Sequence, residues 1–300
     1  MTSAPLGVVR RHRFVIPLQL AAVIVGASCV GAWTLWSQRD EETSLDKARR
    51  TGEIRVGYAV EPPYAYVTQG ATVTGESPEI VKVIATRLGI PRIVWVQTTF
   101  DALIPGLEQG RFDLIAAGMH ITKPRAARIA FTRPTFRGRA ALLVLRGNPH
   151  GLHSCQDVNS HPEVQLAALA GAVEVDDLHT CGIPSRQLLI VPDAITGLAA
   201  VESHLADGLA LTETTIRWMV KNNPQDDLEI VVPFASNPTT PALCCYGAFA
   251  LRQSDQDLLD ACNRVLEEYI GSPPHRELVA DFGFDVDNLP GSVSVEELLR

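Results

Sequence analysis

The sequence predicts an α/β protein built as two lobes. Three observations carry this. From residue 54 onward, short β-branched or apolar runs alternate with stretches of helical period. The first series orders strand, helix, strand, helix, strand, which implies a parallel sheet covered by helices. A second series of the same kind follows from residue 140, and 300 residues are enough for two lobes.

The elements follow in order. In "GEIRVGYAV", Ile54, Val56 and Tyr58 alternate with Arg55 and Gly57, a strand pattern. The prolines of "EPPYAYV" forbid a helix and impose an extended loop at the strand's end. "SPEIVKVIATRLGI" predicts a helix capped by Ser77, with Pro78 in its first turn and Ile80, Val83, Ile84 and Leu88 on one face. Gly89 ends it. "RIVWVQ" is a second strand, and "TTFDALIPGLEQGR" a second helix shortened or kinked by Pro105. "FDLIAAG" is a third strand, apolar enough to be buried on both faces. "AALLVLRGNP" is a further strand ended by Gly147 and Pro149, after which "VQLAALAG", "QLLIVPD", "AITGLAAVESHLADG" and "LALTETTIRWMVKN" repeat the alternation. "YGAFALRQ" is a late strand. "DQDLLDACNRVLEEYIGS" is a helix with Asp255 at its start and Leu258, Leu259, Cys262, Val265 and Leu266 facing the core. The tail beyond "DFGF" has little to pack.

The net charge of −8 and the lack of a basic block beyond "RRHR" argue against nucleic acid as a partner. That block precedes an uncharged run at residues 14–36, a pattern of export. The run is long enough to span a bilayer. An anchor, a cleaved signal and a lipid attached at Cys29 are all compatible with it, and each places the body outside the cytoplasmic membrane, attached to its outer face or secreted. Export permits disulfides, but spacing does not fix pairing. Cys155 with Cys181 is the favoured pair. Cys244 and Cys245 read as buried small hydrophobes.

"EIRVGYAVEPPYAYV", "SPEIVKVIATRLGI", "FDALIPGLEQGRFDLIAAGMHITKPRAARIAFTRP" and "GAFALRQSDQDLLDACNRVLEEY" together resemble the extracellular solute-binding proteins, family 3. "EPPY", "IPGLEQGRFDLIAAGM" and "ALTETTIRWMVK" are most similar to the branch that binds ectoine and hydroxyectoine. The resemblance covers roughly residues 51–285. It implies a two-lobed periplasmic-binding-protein-like fold with two hinge crossings, which we expect near Val144–Pro149 and Pro241–Ala248. The expected organisation is an export segment at 1–37, a polar linker at 38–50, and lobe one at 51–146. Lobe two follows at 147–242, the return segment of lobe one at 243–285, and a tail at 286–300. The implied function is capture of a small zwitterionic solute, ectoine-like or an amino acid, for an ABC importer. The implied partners are that importer's permease and the membrane, reached through residues 14–36 or a lipid on Cys29.

Arg125 matches the family arginine that follows the third strand and binds the solute's carboxylate. A guanidinium holds a carboxylate through two charge-assisted hydrogen bonds, which lysine cannot reproduce. Arg128, Arg133, Arg137 and Arg139 are read as solvated charges. Thr122 is read as a cap for the turn that follows. Glu61 lies at the carboxyl end of the first strand, where open α/β sheets bind ligands, and suits a cationic group. Tyr64 and Phe100 match cleft aromatics of the ectoine-type branch, and aromatic faces attract cations. His120 stands where relatives carry serine, threonine or an aromatic, and is read as a neutral wall of the site or as a pH-sensitive contact. In lobe two the resemblance implies a glycine- and threonine-rich turn opening a helix. Here Gly171 is kept, but Ala172 and Val173 replace the hydroxyl residues. Thr212 and Glu213 remain as polar candidates.

No nucleophile elbow, zinc-protease or P-loop pattern is present. The expectation is a receptor rather than an enzyme, with no cofactor and no metal, since the His and Cys spacings at 150–181 match no compact zinc pattern. A membrane-anchored sensory binding protein is the alternative. A dehydratase of cyclic carboxylic acids, using Glu61, His120 and Arg125 as acid, base and anchor, is a further one.

Overall fold

The structure, a computed structural model, describes residues 42–224, 227–234 and 244–300. The export segment expected at 1–37 lies outside these residues, and no helix among the described ones is long and apolar enough to cross a membrane. The chain divides into units Met1–Glu42 and Thr43–Arg300, and every element below belongs to the second.

Part of the expected polar linker is folded. Thr43 caps helix α1 (Ser44–Thr51), whose Leu45 and Ala48 are buried, and Gly52 in the left-handed region ends it. Strand β1 (Glu53–Tyr58) leads to a short hairpin, β2 (Tyr66–Val67) with β3 (Val73–Thr74). Helix α2 (Glu76–Arg87) begins at Gly75, not at a Ser77 cap. Its first amides are met by the preceding loop, Glu76 N–H donating to the Pro63 carbonyl and Ser77 N–H to that of Tyr64. Ser77 is thereby freed for another use. β4 (Arg92–Gln97) is followed by a 3₁₀ turn at Phe100–Ala102 and α3 (Leu103–Glu108), with Pro105 inside the first turn. β5 is only Leu114–Ile115, after which come α4 (Lys123–Ala126) and β6 (Ile129–Phe131).

The first sheet has the order β4-β1-β5-β13-β6, with β13 being Ala250–Arg252. β1 is parallel to β4 and β5, while β13 runs antiparallel to β5 and β6. Its two faces carry two cores. Ile54, Val56, Ile80, Ile84 and Leu114 pack on one with the helix α9 (Gln256–Tyr269), through Leu258, Cys262 and Leu266. Phe100, Leu103, Leu107, Phe112 and Ile115 pack on the other. Leu114 and Ile115 thus point to opposite cores, as an apolar run buried on both faces requires. Burial pushes the Cys262 thiol up to about 12, which leaves it inert.

The second sheet has the order β11-β7-β10-β8-β9. Its strands are β7 (Phe136–Leu145), β8 (Leu166–Leu169), β9 (Leu188–Val191), β10 (Gly208–Thr212) and β11 (Leu228–Val231). Helices α5 (Cys155–Ser160), α6 (Val173–Thr180), α7 (Ala194–Glu202) and α8 (Glu213–Asn222) connect them. Cys155 and Cys181 form a disulfide between the start of α5 and the end of α6.

The first crossing differs from the expected place, while the second, expected near Pro241–Ala248, contains β12 (Cys244–Gly247). β7 is ten residues long and serves both lobes. Its residues 140–145 belong to the second sheet through β10 and β11. Its residues 136–139 instead pair with β12 (Cys244–Gly247). The first crossing therefore lies at Phe136–Arg139, ahead of the Val144–Pro149 expected, because one long strand rather than a loop bridges the sheets. "YGAFALRQ" correspondingly splits into β12 beside β7 and β13 in the first sheet. The tail packs more than expected. After α10 (Pro273–Ala280), Phe284 is buried against Tyr64 and Phe136, and Val295 of α11 (Val295–Leu298) touches the second core of lobe one.

Candidate functional site

Glu61 follows β1, Phe100 follows β4, and His120 and Arg125 follow β5, so three neighbouring parallel strands deliver them to one edge of the first sheet. Ligands of open α/β sheets bind at such carboxyl ends. Facing them, Gly171 follows β8 and Thr212 closes β10. A cleft of about 450 Å³ opens between the two sets, lined by Glu61 and Phe100 of one lobe and Leu169, Pro192 and Asp193 of the other.

Arg125 connects the sides. Its Nη1 donates to the His120 carbonyl at 2.8 Å and its Nη2 to the Gly171 carbonyl at 2.9 Å. The guanidinium carbon lies 5.4 Å from the centre of the Phe100 ring. This fixes the plane of the fork and uses two of its five N–H donors. Thr122 caps α4 by accepting from the Arg125 amide, so the threonine two residues before the proline-bearing turn sets the arginine's position. The other arginines are engaged elsewhere: Arg128 with Glu108, Arg139 with Glu213, and Arg137 with the Asp287 carbonyl. Glu213 also holds Arg217 and so does not serve the cleft.

Glu61 is buried, and its Oε1 accepts from the Thr215 hydroxyl at 2.9 Å. Burial raises its carboxyl to about 7, against the opposing pull of Thr215 and Arg125. Thr212 acts one step back. Its hydroxyl donates to that of Thr215 at 3.2 Å, forming a relay from lobe two to the lobe one carboxylate.

The aromatic expectations need correction. Phe100 lines the cleft, but Tyr64 does not. Its ring packs tilted against Phe136 at 4.7 Å and edge-to-face against Phe284 at 5.4 Å, and Gly118 passes so close that an added Cβ would lie 2.6 Å from it. The prolines turn the loop so that Tyr64 points inward, and the apolar ring is buried rather than spent on a wet cleft. His120 also packs inward, 5.8 Å from Phe136, and bridges to Gly247 of β12. Burial, then the charge of Arg125, brings its pKa down to about 3. The ring is therefore neutral at ordinary pH, and the pH-sensitive contact expected of it does not arise. Its carbonyl, not its imidazole, touches Arg125, while its buried Nε2 has no hydrogen-bond partner among the described residues.

Three residues of this region were not singled out in the sequence. Thr215 sits within "TETT" at the start of α8. Glu76 is buried behind the site, raised to about 7 by burial, and accepts from the Ser77 hydroxyl at 2.6 Å. Ser77 Oγ in turn accepts from the Gly118 amide, bracing the segment that leads to His120. Glu174 lies on the first turn of α6, three residues after Gly171, and is 8% exposed. Burial and then the nearby Glu61 push its carboxyl up to about 8. Gly171 itself, at φ +75°, lies against Asp101 of lobe one, and a Cβ there would come within 2.9 Å of the Asp101 backbone. Ala172 stands at the helix cap without a side-chain bond, so its lost hydroxyl leaves the start of α6 to its backbone amides.

The family description of bacterial extracellular solute-binding proteins, family 3, matches residues 54–284. A probable amino-acid ABC transporter periplasmic-binding protein of Sinorhizobium fredii is 29% identical over 274 residues, covering 89% of this chain and 88% of that protein. Among solved structures, EhuB in complex with hydroxyectoine superposes with a TM-score of 0.78 at 27% identity, covering 86% of this chain and 98% of that one. An arginine-bound form of ArgBP from T. maritima gives 0.65 at 26% identity, covering 74% of this chain and 99% of that one.

Proposed function

The chain belongs to the bacterial extracellular solute-binding proteins, family 3, and we propose that it captures a small solute bearing both a carboxylate and a cationic group and hands it to an ABC importer. The observation that carries this is the buried Glu61 and the Phe100 ring lining one interlobe cleft, with the Arg125 guanidinium set over that ring. The remaining donors of the Arg125 fork receive the carboxylate, and Glu61 and the Phe100 face receive the cation. Gly171 and Thr215 of lobe two close on the same two charged groups, so closure removes water from both ends of the solute. The names of the similar proteins support amino acids and hydroxyectoine as the classes to try first. The protein acts by closure and release, without turnover. The apolar run 14–36 holds it at the outer face of the cytoplasmic membrane.

A thermal-shift screen of proteinogenic amino acids, ectoine, hydroxyectoine and glycine betaine tests this. A binder at a hundred times its Kd stabilises the closed form by about 2.7 kcal/mol. Arg125→Ala should abolish the shift, and chromatography should recover the solute unchanged. A screen without any shift, or a shift that survives Arg125→Ala, rejects the proposal.

A further inference from the structure

We infer that Glu174 makes this receptor select solutes of net positive charge, because with Glu61 it forms a pair of buried carboxyls served by the single guanidinium of Arg125. The inference rests on the cleft being a solute site. Glu61 projects from lobe one and Glu174 from the first turn of α6 in lobe two, beside the Gly171 carbonyl that receives Arg125. Both are at least nine-tenths buried. The groups bearing on Glu174 are few. Glu61 and Arg125 act on it from lobe one and Asp177 from its own helix, while the neighbouring Asp176 acts on Arg125. Cys245 of β12 lines a narrow cavity of about 30 Å³ with Glu174 and Asp177. Arg125 is the one cation among these.

The charge count then decides. Arg125 supplies one positive charge, and His120 is neutral. Two ionised carboxylates supply two negative charges, so the set is one positive charge short. A net-neutral zwitterion leaves that deficit, and one carboxyl must keep a proton. A solute of charge +1 fills it, displacing the proton. An acid on the first turn of α6 also opposes a solute carboxylate at that helix end, which directs the carboxylate to Arg125 and the cation to the acid pair.

Calorimetry with L-arginine, L-lysine, their neutral counterpart L-citrulline, and ectoine tests this. At pH 7.5 the wild type should bind arginine or lysine at least about tenfold tighter than citrulline. Its affinity for the cation should rise from pH 6 to 8.5, as the displaced proton becomes easier to lose. Glu174→Gln should remove most of the preference and flatten the pH dependence, and Glu174→Asp should keep the preference. If ectoine or citrulline binds as tightly as the cations, the receptor reading stands and the charge selection falls. If none of the four binds to protein shown to be folded by circular dichroism, the charge selection falls, and the receptor reading falls with it only where the wider thermal-shift screen is also blank. Equal loss of every solute in Glu174→Gln makes the residue structural only and overturns the inference.

Discussion

Glu174→Gln should stabilise the unliganded protein at alkaline pH and not at acid pH. The carboxyl is pushed from 4.5 to about 8, first by burial and then by Glu61. A raised carboxyl favours the fold fully below its unfolded value and loses that advantage as pH rises through its folded value. At pH 8 the unfolded chain has given up this proton, whereas the folded chain still holds about half of it. Each pH unit between the two values is worth about 1.4 kcal/mol. The full shift would amount to roughly 5 kcal/mol, and water entry and relaxation around a cleft residue reduce this to about 2 kcal/mol. Glutamine keeps the shape without the charge, and Glu61 still faces Arg125. Scanning calorimetry of unliganded protein should show the variant melting about 4–8 °C higher than wild type at pH 8.5, and within about 1 °C of it at pH 5. A difference in melting temperature that is the same at both pH values refutes the reasoning.

Two further outcomes follow from geometry. Removing the disulfide by Cys155→Ser with Cys181→Ser, which frees a loop with a sequence separation of 26, should destabilise the fold by about 3.5 kcal/mol; a denaturant midpoint insensitive to a reductant would contradict it. Gly171→Ala should force the lobes apart, since its Cβ meets the Asp101 backbone and its φ of +75° disfavours a side chain. X-ray scattering should show a larger radius of gyration in the variant, and an unchanged curve would contradict the contact.

The elements of both lobes were legible because the period of each apolar run survives in the fold. Ile54 and Val56 alternate into one core, and Leu258, Cys262, Val265 and Leu266 line one helix face. The Thr122 cap was legible because a threonine ahead of a proline-bearing turn is a local signal, whereas Arg125 was picked out only by the family resemblance. Tyr64 and His120 were misread for one reason. A sequence places a residue in a loop but does not say which way the loop turns, and both rings turn into the core around Phe136. The first crossing was misplaced because β7 carries no break where it changes partner from β12 to β10. Glu174 and Thr215 gave no signal of their own, since an acid in a first helical turn is ordinary. Only the approach of two lobes from distant parts of the chain makes them remarkable in burial.

The interlobe contacts bear on affinity under the proposed function. In this structure lobe two satisfies the charged groups of lobe one with neutral partners: a carbonyl for Arg125 and a hydroxyl for Glu61. The same contacts leave the acid pair under-compensated, because neither a hydroxyl nor a carbonyl offsets a second buried carboxylate. Closure alone therefore stores an electrostatic penalty in Glu61 and Glu174, relieved by a proton or by a cation. A solute gains affinity to the extent that it relieves this penalty, and loses it when protons already do. Selectivity then comes from the unfavourable charge of the closed cleft as much as from contacts that fit the solute, and it should weaken as pH falls into the range in which both carboxyls hold their protons.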